Sequence, residues 1–509
     1  MIDEVTKKDN SIGEIGKLLK YAVGAAAVLY LIMYLAIALA RIKYPFELEW
    51  MEGGMIDHVR RILSGEQLYV SPSLDFIPYI YTPLYYYFSA MAAKITGIGF
   101  FPLRLVSFIA SLGCFCIIYR LVKRETDCKF YGIIASGLFA ATFRISGAWF
   151  DIARVDSLFV FLLLLAIYLV RFGNSVKTYI IAGIFVFLSF FTKQIALFMF
   201  LPVLLYSFIN NWRYTLVLVG LLLILVVGST LYFNSITDGW YTYYIFNLPA
   251  QHSINTSLFG GFWGNDIIAR FPIACLISLL LIPLYFTKSN INARNFIFYF
   301  LVLTGMIIGS LSSRLHRGGW DNVLIPAYAG MAISTVIGIS EIFKYIKTIP
   351  ENKQKSLEVY IYIACIIQFV LLIYNPIKQI PTQKDVECGK KLINVVKEIP
   401  GEVIIPYHGY LTYMAGKKTH AHAMALFDII FKGDDVVIKE KLRFEIIQAI
   451  KKKRFSAIII DYENSWWFQH VVEKYYTKGK LIFEDTDSFW PVTGMKTRPE
   501  YIYIPENEK

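Results

Sequence analysis

Charge is what this chain has least of. Only 17% of its 509 residues are Asp, Glu, Lys or Arg, and 56% are hydrophobic. A soluble domain carries about 25% charged residues, so lipid must replace water around much of this chain. No Gly-rich phosphate loop and no zinc-type cysteine spacing occurs. Cysteine is scarce as well. Cys114, Cys116, Cys128, Cys275 and Cys365 fall mostly in apolar runs, as small buried residues do, and only Cys388 lies in the last quarter of the chain, which can hold no internal disulfide. There is no internal repeat and no low-complexity segment. The formal charge of +12 fits anchoring by Lys and Arg on the cytoplasmic side of a membrane, and nothing points to nucleic acid.

What is present is a series of long apolar runs. The first, about Leu18 to Ala40, exceeds the roughly 7–15 residues of a signal h-region and is followed by no A-x-A-like site, so it reads as a retained span. Lys7, Lys8, Lys17 and Lys20 place the N-terminus inside. The loop 41–82 is then outside. In it, Met55, Ile56, Val59, Ile62 and Leu63 alternate at helical period with Asp57, His58, Arg60 and Arg61, which predicts an amphipathic helix along the membrane surface. Pro83 to Gly97 is too short for a span and reads as a second juxtamembrane helix. Further spans are expected at about 102–122, 130–148, 157–172, 178–192, 195–209, 214–233, 267–287, 295–313, 323–341 and 357–375, with basic residues recurring on one side. The count is about eleven transmembrane helices in residues 1–375. Residues 376–509 alternate strand-like runs (403–405, 457–460, 501–504) with helical stretches (423–431, 439–453), the pattern of an extracytoplasmic α/β domain.

Four charge clusters fall on the predicted outer side. The first is Glu49-Trp50-Met51-Glu52, two carboxylates three residues apart with Glu47 just upstream. Asp151, Arg154 and Asp156 stand together, then Lys193-Gln194, then Arg314, His316, Arg317, Asp321 and Asn322. Ionisable groups beside a bilayer are expensive and mark sites. Arg154, Lys193, Arg314 and Arg317 are suited to a leaving phosphate, with Gln194, His316, Asp321 and Asn322 as further contacts. Glu52, or else Glu49, is a candidate general base, assisted by Asp151 or Asp156. Such a set supports transfer of a sugar from a phosphate carrier with inversion. The plainer readings are that Glu49 and Glu52 cap a helix, that Asp151, Arg154 and Asp156 form a loop ion pair, and that Lys451 to Arg454 is a solvated helix end.

On these residues the chain resembles the GT-C superfamily of polyprenyl-phosphate-sugar-dependent glycosyltransferases, near the protein O-mannosyltransferase and lipid A aminoarabinose transferase groups. The family's acidic pair opening the first-loop helix aligns with Met51 and Glu52. Its basic-Pro-Pro-Leu motif appears as Tyr81-Thr82-Pro83-Leu84, without the basic residue or the first Pro. Arg104 matches an arginine that begins the second span. The resemblance implies an α-helical polytopic GT-C-like enzyme of the cell membrane. It would move a monosaccharide from a polyprenyl-phosphate sugar to a lipid, glycan or protein acceptor at the outer face, with no obligatory metal. The rivals are a lipid-linked sugar transporter, which would carry charge within its spans and broken helices in paired halves, and a non-catalytic membrane scaffold.

Overall fold

The computed structural model describes residues 2–277, 293–462 and 465–506. Its first helix, α1 (Ile2–Arg41), is followed by an extended loop, then α2 (Glu52–Leu63) and α3 (Leu84–Thr96), where the sequence places the juxtamembrane helices. The apolar runs that follow form α4 (Phe100–Thr126), α5 (Lys129–Ala141), α6 (Asp156–Phe172) and α7 (Val176–Phe190). The two expected spans 195–209 and 214–233 form α8 (Ile195–Ile236), which breaks at Asn211 in a non-helical conformation. After irregular turns come α9 (Ala293–Leu315), α10 (Ile325–Ile346) and α11 (Glu351–Val370). Of the expected span 267–287, residues 267–271 end a preceding π-helical stretch in a turn, 272–277 are helical, and 278–287 lie outside the described residues. Among the described residues five helices are long and apolar enough to cross a membrane, in α1, α4, α8, α9 and α10, while α5 and α7 are apolar but shorter.

Close helix approach builds the core. A Cβ on Gly137 would lie 2.5 Å from the Ala27 backbone, so α5 can pack this tightly on α1 only through glycine. Above that contact Tyr34 sits edge-on to Phe115 and Phe143 at 5.2 and 5.3 Å, a favoured aromatic geometry.

α2 is not an exposed amphipathic helix. Its residues Glu52 to Val59 are buried, packed against α3, α4 and the tail helix α13, Gly409–Met414. His58 allows this by bonding the Gly54 carbonyl at 2.6 Å and accepting the Tyr79 N–H at 2.7 Å. Burial depresses its pKa to about 3, so the ring stays neutral.

The tail begins with α12 (Gln383–Glu398). Its sheet has the order β1-β2-β4-β3, with β1 (Val403–Ile404) parallel to β2 (Ala457–Ile460), and β4 (Tyr501–Pro505) antiparallel to both β2 and β3 (Tyr476–Leu481). β3 was not expected. Helices α14 (Ala423–Phe427) and α15 (Val436–Lys451) complete it. Arg454 is not a free helix end, because it pairs with Asp75 at 2.6 Å and Glu402 at 2.9 Å. Cys114 and Cys365 are buried as expected, but Cys116 is exposed.

Candidate active site

The first loop is held by two buried ion pairs. Glu52 opens α2, and its carboxylate takes four donors. Arg104 Nε and Nη2 bond its two oxygens at 2.9 and 2.6 Å, the Ala153 N–H bonds one at 2.7 Å and the Leu48 N–H the other at 2.7 Å. Burial pushes this carboxyl up, but Arg104 and the two backbone N–H groups outweigh it and hold Glu52 below the usual range. Arg41 grips Asp151 in the same way, at 2.8 and 2.5 Å, and also donates to the Ala148 and Gln379 carbonyls. Each carboxylate therefore ties the loop to helices far away in sequence, and neither faces the cavity. Glu52 as the preferred base and Asp151 as its assistant have no open oxygen to offer.

Glu49 is placed differently. It lines a cavity of about 380 Å³ between the first loop, the ends of the helices and the tail. One of its oxygens accepts from Arg154 Nη1 at 3.1 Å and the Met51 N–H at 3.2 Å, and the other, Oε1, is buried with no partner. Burial drives the carboxyl up and Arg154 draws it back, leaving it at about 7. Arg154 continues to the Tyr81 hydroxyl at 3.0 Å, and its Nε is also unpartnered.

Across the cavity, Lys193 Nζ lies 2.7 Å from Asp156 Oδ1, which also accepts from Asn322 at 3.0 Å. Asp156 is thus the anchor of a cation, not an exposed acid. Gln194 uses its amide on the Ile80 and Ile245 carbonyls, at 2.9 and 3.1 Å, and so braces the wall. His316 and Arg317 line the far end. Arg314 and Asp321 do not reach this cavity: Arg314 is spent on Asp266 at 2.9 Å and on Asp321 at 3.4 Å.

Four lining residues were not singled out from the sequence for this role. His252 packs against His316 with the rings tilted at 45° and their centroids 4.6 Å apart. Asp428 and Lys432, both buried, pair at 2.6 Å and come from the tail. Gly494 holds φ +78°, and a Cβ there would stand 2.9 Å from Glu49 Cγ. The tail therefore forms one wall of the cavity, with the Thr493 N–H bonded to the Leu48 carbonyl at 3.1 Å. An acid and a lysine four apart in an otherwise apolar helical stretch, Asp428 and Lys432, are the signal in the sequence that could have found it. One other cluster, Asp75, Glu402 and His420, has its ligand atoms within 4.8 Å, but Arg454 and Lys418 already neutralise it.

Residues 81–233 match the family described as dolichyl-phosphate-mannose-protein mannosyltransferase. The fold is similar to that of ArnT from Cupriavidus metallidurans bound to undecaprenyl phosphate, with a TM-score of 0.58 at 9% identity over 94% of this chain and 97% of that one. The chain has the fold of this ArnT. The apo state of the same ArnT gives a TM-score of 0.56, also at 9% identity, over 94% and 98% of the two chains. AglB from Archaeoglobus fulgidus, in complex with an inhibitory peptide and a dolichol-phosphate, gives 0.49 at 14% identity over 90% and 73%. No curated protein matches the chain. Within this fold, the matched segment begins at Tyr81 and includes Arg154, Lys193 and Gln194, so part of the cavity wall lies inside it.

Proposed function

We propose that this GT-C protein is a membrane glycosyltransferase that moves a monosaccharide from a polyprenyl monophosphate to a lipid, glycan or protein acceptor, with Glu49 as general base. The observation that carries the reading is the Glu49 carboxylate, with one oxygen unpartnered, in the same cavity as Arg154 and Lys193. An acceptor hydroxyl gives its proton to Glu49 as its oxygen attacks the anomeric carbon. The bond from that carbon to the carrier phosphate breaks on the opposite face, which inverts the configuration. The departing phosphate keeps the electron pair, and its charge is met by Lys193, with Arg317 and Lys432 at the far end. A pKa near 7 suits the base, since a proton acceptor works best close to the operating pH. The cell membrane, an N-terminus inside, about eleven spans and a tail outside belong to the same proposal, as do the domain limits 1–375 and 376–509.

The test incubates the purified full-length protein with a polyprenyl-monophosphate-linked hexose and an acceptor mixture, and measures release of polyprenyl phosphate. Release by the wild type and its loss in Glu49→Gln, with folding retained, is the expected result. Equal release by both proteins would remove Glu49 from the role.

A further inference from the structure

A second cavity, of about 340 Å³, lies on the other side of the 319–322 turn from the candidate active site. It is lined by Arg144, Arg270, Asp266 and Asp321. Arg314 already sits between the two carboxylates. Arg144 and Arg270 are both exposed, and among the described residues neither has a carboxylate or hydrogen-bond partner for its guanidinium. Lys496 stands near Arg144: burial lowers its pKa and the Arg144 charge lowers it further. It bonds only the Pro491 carbonyl. The two lining carboxylates, Asp266 and Asp321, are thus set against three arginines, Arg144, Arg270 and the adjacent Arg314, which leaves a positive excess at the cavity.

The floor of this cavity is the turn that follows α11, Leu371 to Tyr374. Ile373 and Tyr374 line it, and the same two residues line a third cavity, of about 350 Å³, between α1 and α11. That third cavity is an apolar groove walled by Ala22, Ala26, Met33 and Phe369. From Ala22 to Met33 it follows α1 for about 16 Å. Leu29, Val370 and Ile373 beside it are 60%, 55% and 70% exposed, an apolar surface that a hydrocarbon chain would cover. A cationic pocket continuous with an apolar groove of this length matches one chemistry, a phosphate headgroup with a hydrocarbon chain below it.

We propose that Arg144 and Arg270 bind the phosphate of an anionic glycerophospholipid whose acyl chain lies in the α1/α11 groove. The site is separate from the cavity that holds Glu49, and it does not depend on the catalytic reading. Arg314, shared between Asp266 at this site and the 319–321 turn, is the contact through which occupancy would reach the neighbouring cavity.

The test uses the full-length protein in nanodiscs of mixed phosphatidylglycerol and phosphatidylcholine, with the lipid retained after detergent extraction measured by native mass spectrometry. The wild type should retain phosphatidylglycerol preferentially. The double variant Arg144→Ala/Arg270→Ala, whose guanidinium groups make no described hydrogen bond or ion pair, should unfold close to the wild-type temperature and retain at least about tenfold less, as expected for two phosphate-paired cations at a membrane surface. Ile373→Trp, which fills the groove where it meets the pocket, should weaken retention with both arginines present. Equal retention of the two lipids by the wild type, or unchanged retention in the double variant, overturns the site. Competition by glycerol phosphate as strong as by the intact lipid would reduce it to an anion pocket and overturn the lipid assignment.

Discussion

Arg104 bonds both carboxylate oxygens of Glu52, at 2.9 and 2.6 Å, where neither side chain is exposed. Glu52→Gln cannot preserve that geometry, because an amide offers one acceptor where two are used. Removing one partner of a buried pair leaves the other charge uncompensated, at a cost of about 3–5 kcal/mol. Glu52→Gln should therefore lower the thermal unfolding temperature and the yield of folded protein. Glu49→Gln, whose second oxygen has no partner, should unfold close to the wild type while transfer falls by about 10²–10⁴-fold. If the two variants exchange these behaviours, the assignment of base and clasp is reversed.

Glu49 also sets a pH dependence. Its carboxyl is raised to about 7 by burial, against the pull of Arg154. A base acts only when deprotonated, so the rate of transfer should fall as the pH drops through about 7. Arg154→Gln leaves burial unopposed and should move this acid limb upward, besides slowing the reaction. A pH–rate profile flat between 5 and 8 would be incompatible with Glu49 as the base.

Lys193 is held at the cavity by an anchor of its own, Asp156 at 2.7 Å. A charge-assisted hydrogen bond to phosphate contributes about 1.5–3 kcal/mol. Lys193→Ala should thus lower kcat/KM for the carrier-linked donor by about 10- to 100-fold, and Lys193→Arg should restore part of it. Steady-state kinetics with varied donor and fixed acceptor would decide this, and an unchanged kcat/KM would remove Lys193 from the donor site.

The helices were legible because periodicity and apolar length are local properties. Even the break at Asn211 shows in the sequence, where polar residues interrupt two apolar runs. The choice between Glu49 and Glu52 was not legible. Both are acids on one loop, and they differ in which arginine each one meets, Arg154 or Arg104, more than fifty residues away. β3 was missed because Tyr476 to Leu481 is an edge strand with five of its six residues exposed, so it lacks the alternation that marks a half-buried strand. His252, Asp428 and Lys432 reach the cavity only through tertiary packing of the tail.

Gly494 gives the tail a direct hold on the base. Its φ of +78° disfavours any side chain, and a Cβ would stand 2.9 Å from Glu49 Cγ. Gly494→Ala should slow transfer by displacing Glu49 while costing only about 1–2 kcal/mol of stability. Transfer at the wild-type rate in Gly494→Ala would show that this contact does not position Glu49.

His408 joins the first loop to the tail. Its Nδ1 bonds Glu47 and its Nε2 lies 3.1 Å from Asp461, with all three side chains buried. Burial disfavours the charged ring, but the two carboxylates outweigh it and raise its pKa to about 10. In the unfolded chain the ring titrates near 6.5. The folded state therefore holds the proton more tightly, and the stabilisation is fully present below about pH 6.5 and is lost as the pH rises towards 10. Thermal unfolding of the wild type should shift to lower temperature over that interval. His408→Gln, with no ring proton to lose, should be less stable at pH 6 and show little further decline by pH 10. Because Glu47 is two residues from Glu49, the variant should also transfer more slowly at pH 7. A wild type whose unfolding temperature is level from pH 6.5 to 10 would mean that the imidazolium does not hold the two parts together.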